Sequence, residues 1–162
     1  MSTPPDDETP TAAALDLDSL PGNAIRRLQQ IAVAIFLQEA EPQGVTPVQF
    51  ATLQALANTP DVDQRTLARS IGFDTSTIAS VMDRLEARGL VQRSRDPNDG
   101  RVRLLALTPQ GHALLSEVVP AMHRTQARIL EPLPAPERAE FMRMLLVLVK
   151  ANNALSRAPS EG

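Results

Sequence analysis

Residues 74–108, DTSTIASVMDRLEARGLVQRSRDPNDGRVRLLALT, are compatible with few folds. Asp74 followed by Thr75, Ser76 and Thr77 is a helix start, because an aspartate side chain can accept a backbone N–H from the open first turn. Ile78, Val81, Met82 and Leu85 then recur on one face at helical spacing, and Gly89 supplies a stop that costs nothing in the left-handed conformation. Leu90 to Arg95 reads as a short strand, Asp96-Pro97-Asn98-Asp99-Gly100 as a turn, and Val102 to Leu107 as a second strand. A helix followed directly by such a hairpin must bury Ile78, Val81, Met82 and Leu85 against the rest of the chain, which leaves the opposite helix face and the hairpin tip in solvent.

That free face carries Ser76, Ser80, Asp83 and Ala87, flanked by Thr77 and Arg84. The side chains are mostly short and polar, so the helix backbone can approach a surface closely. A DNA major groove admits such a helix, and serine, threonine and arginine bond base edges or phosphates. An ordinary solvated face is the alternative reading of the same residues. Behind the helix, Arg93, Arg95, Arg101 and Arg103 are expected around the hairpin tip, where long guanidinium side chains suit a narrow, electronegative minor groove. A lone charged hairpin is usually only solvated; placed directly after a small-faced helix it is more specific.

Residues 46–73 fit in front of this unit. Thr46-Pro47-Val48-Gln49 is a capping box with proline at the first helical position. A short helix is expected from Asp63 to Ser70, and Ile71-Gly72-Phe73 turns into Asp74, which makes a helix-turn-helix. Gln64, Arg65 and Thr66 lie at the start of the first of these two helices, where backbone amides favour a phosphate.

The motif residues Asp83-Arg84-Leu85-Glu86, Gly89-Leu90-Val91, Arg95-Asp96-Pro97-Asn98-Asp99, Arg101, and Leu107-Thr108 with Gly111 resemble the winged helix-turn-helix of the multiple-antibiotic-resistance regulator (MarR) family. The resemblance runs more weakly from about Pro21 to Leu155. It implies that Arg101 enters the minor groove, and that Asp83, Asp96, Asp99 and Arg84 form ion pairs bracing the wing against the recognition helix. It also implies a homodimer on a pseudo-palindromic operator in double-stranded DNA. Two positions depart from the family pattern. Gly100 stands where many relatives carry a second charge, and Ser80 where arginine is common, so phosphate and base contacts are expected to differ here.

Outside this region the sequence divides simply. Residues 1–19 hold five acids and no base, with Pro4, Pro5 and Pro10, and are expected to be an acidic disordered tail or arm. Residues 20–156 form the MarR-like domain, with the winged helix-turn-helix at about 46–108 and dimerisation helices at about 20–40 and 109–156; residues 157–162 are a frayed end. The fold class is mainly α with a small β-hairpin wing. Pro120 is expected to bend the helix that starts at Thr108-Pro109. The run Phe141 to Val149 is too apolar all round to face water alone, so it is either core or, with the first helix, a dimer interface. The segment PGNAIRRLQQIAVAIF resembles the first helix of family members tied to aromatic-acid and nicotinate catabolism. That resemblance implies a small aromatic carboxylate as effector, with Asn23, Arg26, Arg27 and Gln30 as the candidate binding residues. The polar face of a core-packed helix is the plainer reading of those four.

Charge and composition narrow the function. Net charge is −3, but residues 84–103 carry six arginines against three acids, and the local field is what steers a phosphate backbone. No cysteine is present, which excludes disulfides, thiolate metal sites and the cysteine-based peroxide sensing of some relatives. His112 and His123 have no carboxylate at ligand spacing, so no metal and no cofactor are expected. With no motif for an activated nucleophile, an enzyme is not expected. No apolar run reaches membrane-spanning length and no secretory signal is seen, which points to the cytoplasm. The expected function is a ligand-responsive repressor of transcription; a winged helix serving only as a protein-interaction module is the alternative.

Overall fold

The computed structural model describes residues 16–156. The expected tail at residues 1–15 and the expected frayed end at 157–162 lie outside them. Residues 16–19 of the expected tail are ordered into the structure: Leu17–Ser19 make one 3-10 turn capped by the Asp16 carboxylate.

The helices are α1 (Pro21–Glu39), α2 (Pro47–Asn58), α3 (Gln64–Ser70), α4 (Thr75–Ala87), α5 (Pro109–Leu130) and α6 (Ala135–Asn152). The strands are β1 (Val62–Asp63), β2 (Val91–Arg95) and β3 (Arg103–Leu107). They pair antiparallel in the order β1-β3-β2. The expected two-stranded hairpin is therefore a three-stranded sheet. Asp61, with φ 58, turns the chain so that its N–H donates to Leu105 O, and Val62 falls opposite Leu105. Two residues are too short a run for alternation to reveal a strand.

Local chemistry sets most of the boundaries. The capping box of α2 is complete, with Thr46 Oγ1 accepting from Gln49 N and Gln49 Oε1 accepting from Thr46 N. α3 and α4 both end in Schellman turns. Phe73 N donates to Ala68 O and Gly72 N to Arg69 O; Leu90 N donates to Leu85 O and Gly89 N to Glu86 O. Gly72 and Gly89 have φ of 69 and 71, where any Cβ is strained. α5 runs unbroken through Pro120.

Buried side chains form two clusters. The larger gathers Leu53, Leu56, Leu67, Ile78, Met82 and Leu85 with Leu105 and Leu107, and holds α2, α3, α4 and the sheet as one head, to which Leu115 attaches the first turns of α5. The smaller joins Phe36, Ala40 and Val45 to Val118 and Ala121, fixing α1 on α5 as a frame. Phe50 and Leu114 touch both, and the Phe36 and Phe50 rings stand 6.0 Å apart. α6 buries none of its side chains, and Met144, Leu146, Val147, Leu148 and Val149 are about half exposed. Among the described residues no helix is long and apolar enough to cross a membrane.

Candidate nucleic-acid interface

α4 presents the expected two faces. Ile78, Val81, Met82 and Leu85 are buried, while Thr75, Ser76, Ser80, Asp83, Arg84 and Ala87 are exposed. The cap is denser than sequence alone suggests. Asp74 Oδ1 accepts from Thr77 N at 2.7 Å and Ser76 Oγ at 2.5 Å, and Oδ2 accepts from Thr77 Oγ1 at 2.6 Å. The Ser76 and Thr77 hydroxyls therefore spend their protons on Asp74 and offer only lone pairs outward. Lone pairs suit the amino groups of adenine or cytosine, not a phosphate. Ser80 has no side-chain partner among the described residues and keeps both options.

These bonds, first from the Ser76 hydroxyl and then from Thr77, hold the Asp74 carboxyl far below the usual carboxylate range. A depressed folded-state pKa stabilises above the unfolded value and the benefit disappears as pH falls below it. Thermal melts should accordingly show that Asp74→Asn, which keeps a cap acceptor but not the charge, has a shallower loss of stability than wild type below about pH 4. Parallel acid limbs for the two proteins would remove Asp74 from that role.

At α3 the Asp63 carboxylate accepts from Arg65 N at 2.9 Å, Thr66 N at 3.0 Å and Thr66 Oγ1 at 2.7 Å. The amides expected to meet a phosphate are thus already occupied by the protein's own anion. Gln64 Nε2 donates to Thr75 O at 3.2 Å, tying the two helices of the motif together. Of the three candidates here, Arg65 alone keeps a guanidinium with no partner among the described residues.

The wing differs in detail from expectation. Register places Val91 opposite Leu107, Arg93 opposite Leu105 and Arg95 opposite Arg103, all on the sheet face that turns toward α4. Arg93 is therefore mid-strand, not at the tip. Its guanidinium donates to Asp83 Oδ1 at 2.7 Å and to Glu86 Oε2 on α4. The brace between wing and recognition helix consists of Arg93, Asp83 and Glu86. Asp96 and Asp99 instead stitch the tip internally. Asp96 Oδ1 accepts from Asn98 N and Asp99 N, and Asp99 Oδ1 from Arg101 N at 3.0 Å. Short aspartates in a turn satisfy the nearest amides before they reach another element. Arg84, Arg95, Arg101 and Arg103 are exposed, with no side-chain partner among the described residues. Glu86 belongs to the Asp83-Arg84-Leu85-Glu86 motif, but nothing in the sequence marks it as a partner of the wing.

On α1 the candidate ligand residues separate. Arg26 Nη2 donates to Asn23 Oδ1 at 2.9 Å and Nη1 to Gln30 Oε1 at 3.2 Å, forming one polar string. Arg27 donates to Asp18 Oδ1 at 2.9 Å on another side of the helix. Two apolar cavities lie beneath α1. One of about 150 Å3 is bounded by Val33, Phe36, Pro47, Met122 and Ile129, and one of about 250 Å3 by Ile25, Leu28, Ile129, Phe141 and Leu145. None of the four candidates lines either, and Gln29 and Gln126 line both; Asn23 and Arg27 instead line a third hollow on α1, of about 260 Å3, with Asp18, Leu28 and Ile31. Gln29 is itself exposed, as glutamine on a helix ordinarily is, so its place beside the cavities has no signal in the sequence. His112 and His123 are exposed, and among the described residues no group of His, Asp and Glu could hold a metal ion.

Residues 45–102 match the model of the MarR family. The chain is 33% identical over 149 residues to the HTH-type transcriptional repressor NicR of Pseudomonas putida, covering 89% of this chain and 94% of that protein. Its fold is similar to that of the repressor CouR bound to a 23-mer DNA duplex. There the TM-score is 0.77 and the identity 31%, over 85% of this chain and 99% of that one. It is also similar to Bordetella bronchiseptica BpsR, whose DNA binding is regulated by 6-hydroxynicotinic acid. That match has a TM-score of 0.78 and 31% identity, over 83% of this chain and 96% of that one. A helix-turn-helix closed by two Schellman glycines, a wing braced to it by one arginine, and near full-length similarity to a repressor lead to one conclusion: the chain belongs to the MarR family of transcriptional regulators.

Proposed function

We propose that the protein is a homodimeric transcriptional repressor that binds a pseudo-palindromic operator and leaves it when a small aromatic carboxylate binds. The observation that carries this is the shared direction of unpaired positive charge. Arg95 and Arg103 face the same way as the brace to α4, and Arg84 and Arg101 are free beside them. Each α4 would lie in a major groove, two such helices ~34 Å apart, with each wing in the flanking minor groove. Thr75, Ser76, Thr77 and Ser80 would meet base edges. Arg65, Arg84, Arg95, Arg101 and Arg103 would meet phosphates or the minor groove. Residues 46–108 act as the reading unit.

α1, α5 and α6 serve as the dimer frame. Met144, Leu146, Val147, Leu148 and Val149 on α6 are about half exposed, as are Ile25 and Ile31 on α1, and large apolar side chains grouped in water as they are on α6 mark an interaction surface. The regulation of BpsR by 6-hydroxynicotinic acid supports an aromatic acid as effector. The ring would enter an apolar cavity beneath α1, with Gln29 and Gln126 bonding its polar substituents. Arg26 is the favoured partner for the carboxylate, with Asn23 and Gln30 orienting it. Arg27 lies about 200° round the helix from Gln29 and is paired with Asp18. As a DNA regulator without a spanning helix the protein would work in the cytoplasm.

Fluorescence anisotropy on DNA selected by the wild-type protein tests both halves. Arg101→Ala should weaken binding about tenfold or more and lower the salt slope by about one, with an unchanged melt. Adding 6-hydroxynicotinate should release the wild-type protein. Unchanged affinity of the variant at fixed salt would remove the wing role. No release by this or related aromatic acids would remove the effector.

A further inference from the structure

α5 joins the frame to the head at its N-terminal end, where Leu115 is buried with the head, Thr108 Oγ1 donates to Gly89 O and Thr108 N to Leu90 O. A second polar link ties the head to the α1 end of the frame, and it bears on the angle between the two. Arg88, the C-cap residue of α4, donates from Nη1 to Gly44 O at 3.0 Å and from Nη2 to Gln43 O at 3.2 Å, across more than forty residues of sequence. Those two carbonyls belong to the short connection between α1 and α2, where a 3-10 turn (Glu41–Gln43) ends at Gly44 with φ 60. The connection is itself held firmly. Ala40 before it and Val45 after it are buried in the frame cluster. Just upstream, Glu39 accepts from Arg124 Nε at 2.7 Å and Arg128 Nη1 at 2.8 Å, while Arg128 Nη2 reaches Gln38 Oε1.

We propose that Arg88 is a positioning residue for DNA recognition: its fork pins the C-terminal end of the recognition helix to the frame and so sets how far apart two such helices stand. The inference rests on the dimeric DNA-binding reading above. A planar guanidinium reaching two neighbouring carbonyls fixes direction as well as distance, which a single ammonium cannot do. Asp74 caps the other end of α4 from within the head and gives no purchase on the frame. With Arg88 cut, the head is still held to α5 through Leu114, Leu115 and the Thr108 bonds to Gly89 and Leu90, but the end of α4 loses its tie to the α1–α2 connection. Rotation of the head then becomes easier while the head itself stays folded. The opposing expectation for an exposed arginine at the end of a recognition helix is a phosphate contact.

The two differ in what they do to half-site spacing. DNA is selected from a random pool by the wild-type protein, and duplexes are made with the half-sites moved one and two base pairs closer or further apart. Wild type should lose about 100-fold on a two-base-pair change, since a rigid pair of heads then misses one groove. Arg88→Ala and Arg88→Lys should each lose only about tenfold on the same change. At the selected spacing they should keep affinity within about threefold and an unchanged salt slope. Because Arg88 is exposed, both variants should melt with wild type. A variant that keeps the full spacing penalty overturns the proposal. So does a uniform loss at every spacing with a salt slope lower by about one, which makes Arg88 a phosphate contact. If wild type selects no DNA at all, the DNA reading fails first, and that result is distinct from either.

Discussion

Replacing Gly111 with alanine should lower stability by about 3 kcal/mol, a fall of roughly 10 °C in Tm for a chain of this size. The reason is a close approach in the first turn of α5. A Cβ built on Gly111 would stand 2.0 Å from Leu90 O and 3.0 Å from Leu90 C. Both are backbone atoms, so no side-chain rotation relieves the clash. α5 must move off the start of β2 instead. That movement strains Thr108, whose Oγ1 both donates to Gly89 O at 2.6 Å and accepts from Gly111 N at 3.0 Å. It also pulls at the bond from Thr108 N to Leu90 O. The variant should lose wing rigidity before global folding, seen as faster amide exchange in β2 than in α2 at temperatures well below the melt. A Tm within a degree of wild type would show that α5 and β2 are not held at this distance in solution.

A paired substitution on α6, Met144→Glu with Val147→Glu, should convert the protein to a monomer and weaken operator binding by about 100-fold or more, because two linked heads gain that much over one. The positions are chosen by helix angle. Phe141, Met142 and Leu145 line the cavity against α1 and α5 of the same chain. Met144 and Val147 lie about 100° and 160° from Leu145 around α6, away from that cavity, with 48% and 53% of their surfaces exposed. Added charge there leaves the protomer's own packing intact and meets only the partner. Light scattering on a sizing column at micromolar concentration gives the mass, and anisotropy gives the affinity. A variant that remains dimeric would place the interface elsewhere. A monomer that still bound the full operator with wild-type affinity would break the link between dimerisation and DNA reading.

Local rules carried much of the fold. The caps at Thr46 and Asp74, the stops at Gly72 and Gly89, and the buried stripe of α4 are properties of neighbouring residues, and hydrogen bonds that close within a turn do not wait for tertiary contacts. Apolar spacing at 3.6 residues likewise identified every long helix, including one with proline inside it. The wing motif between Asp83 and Arg101 was legible enough to name a family from side chains alone.

Tertiary structure decided the partners. Nothing in sequence order says that Arg93 meets Asp83 and Glu86, that Asp96 and Asp99 turn inward to their own loop, or that Asp63 fills the amides at the start of α3. A charged side chain can reach several neighbours within a few ångströms, and which one it finds depends on strand register and helix placement. The same holds for β1, too short to show a period, and for Gln29, an exposed glutamine that borders two apolar cavities. It holds for Arg88, whose carbonyl partners lie more than forty residues away. Residue type and spacing determined the elements and the kind of surface they present; only the packed chain determined which of its charges are spent on the protein and which remain free for DNA.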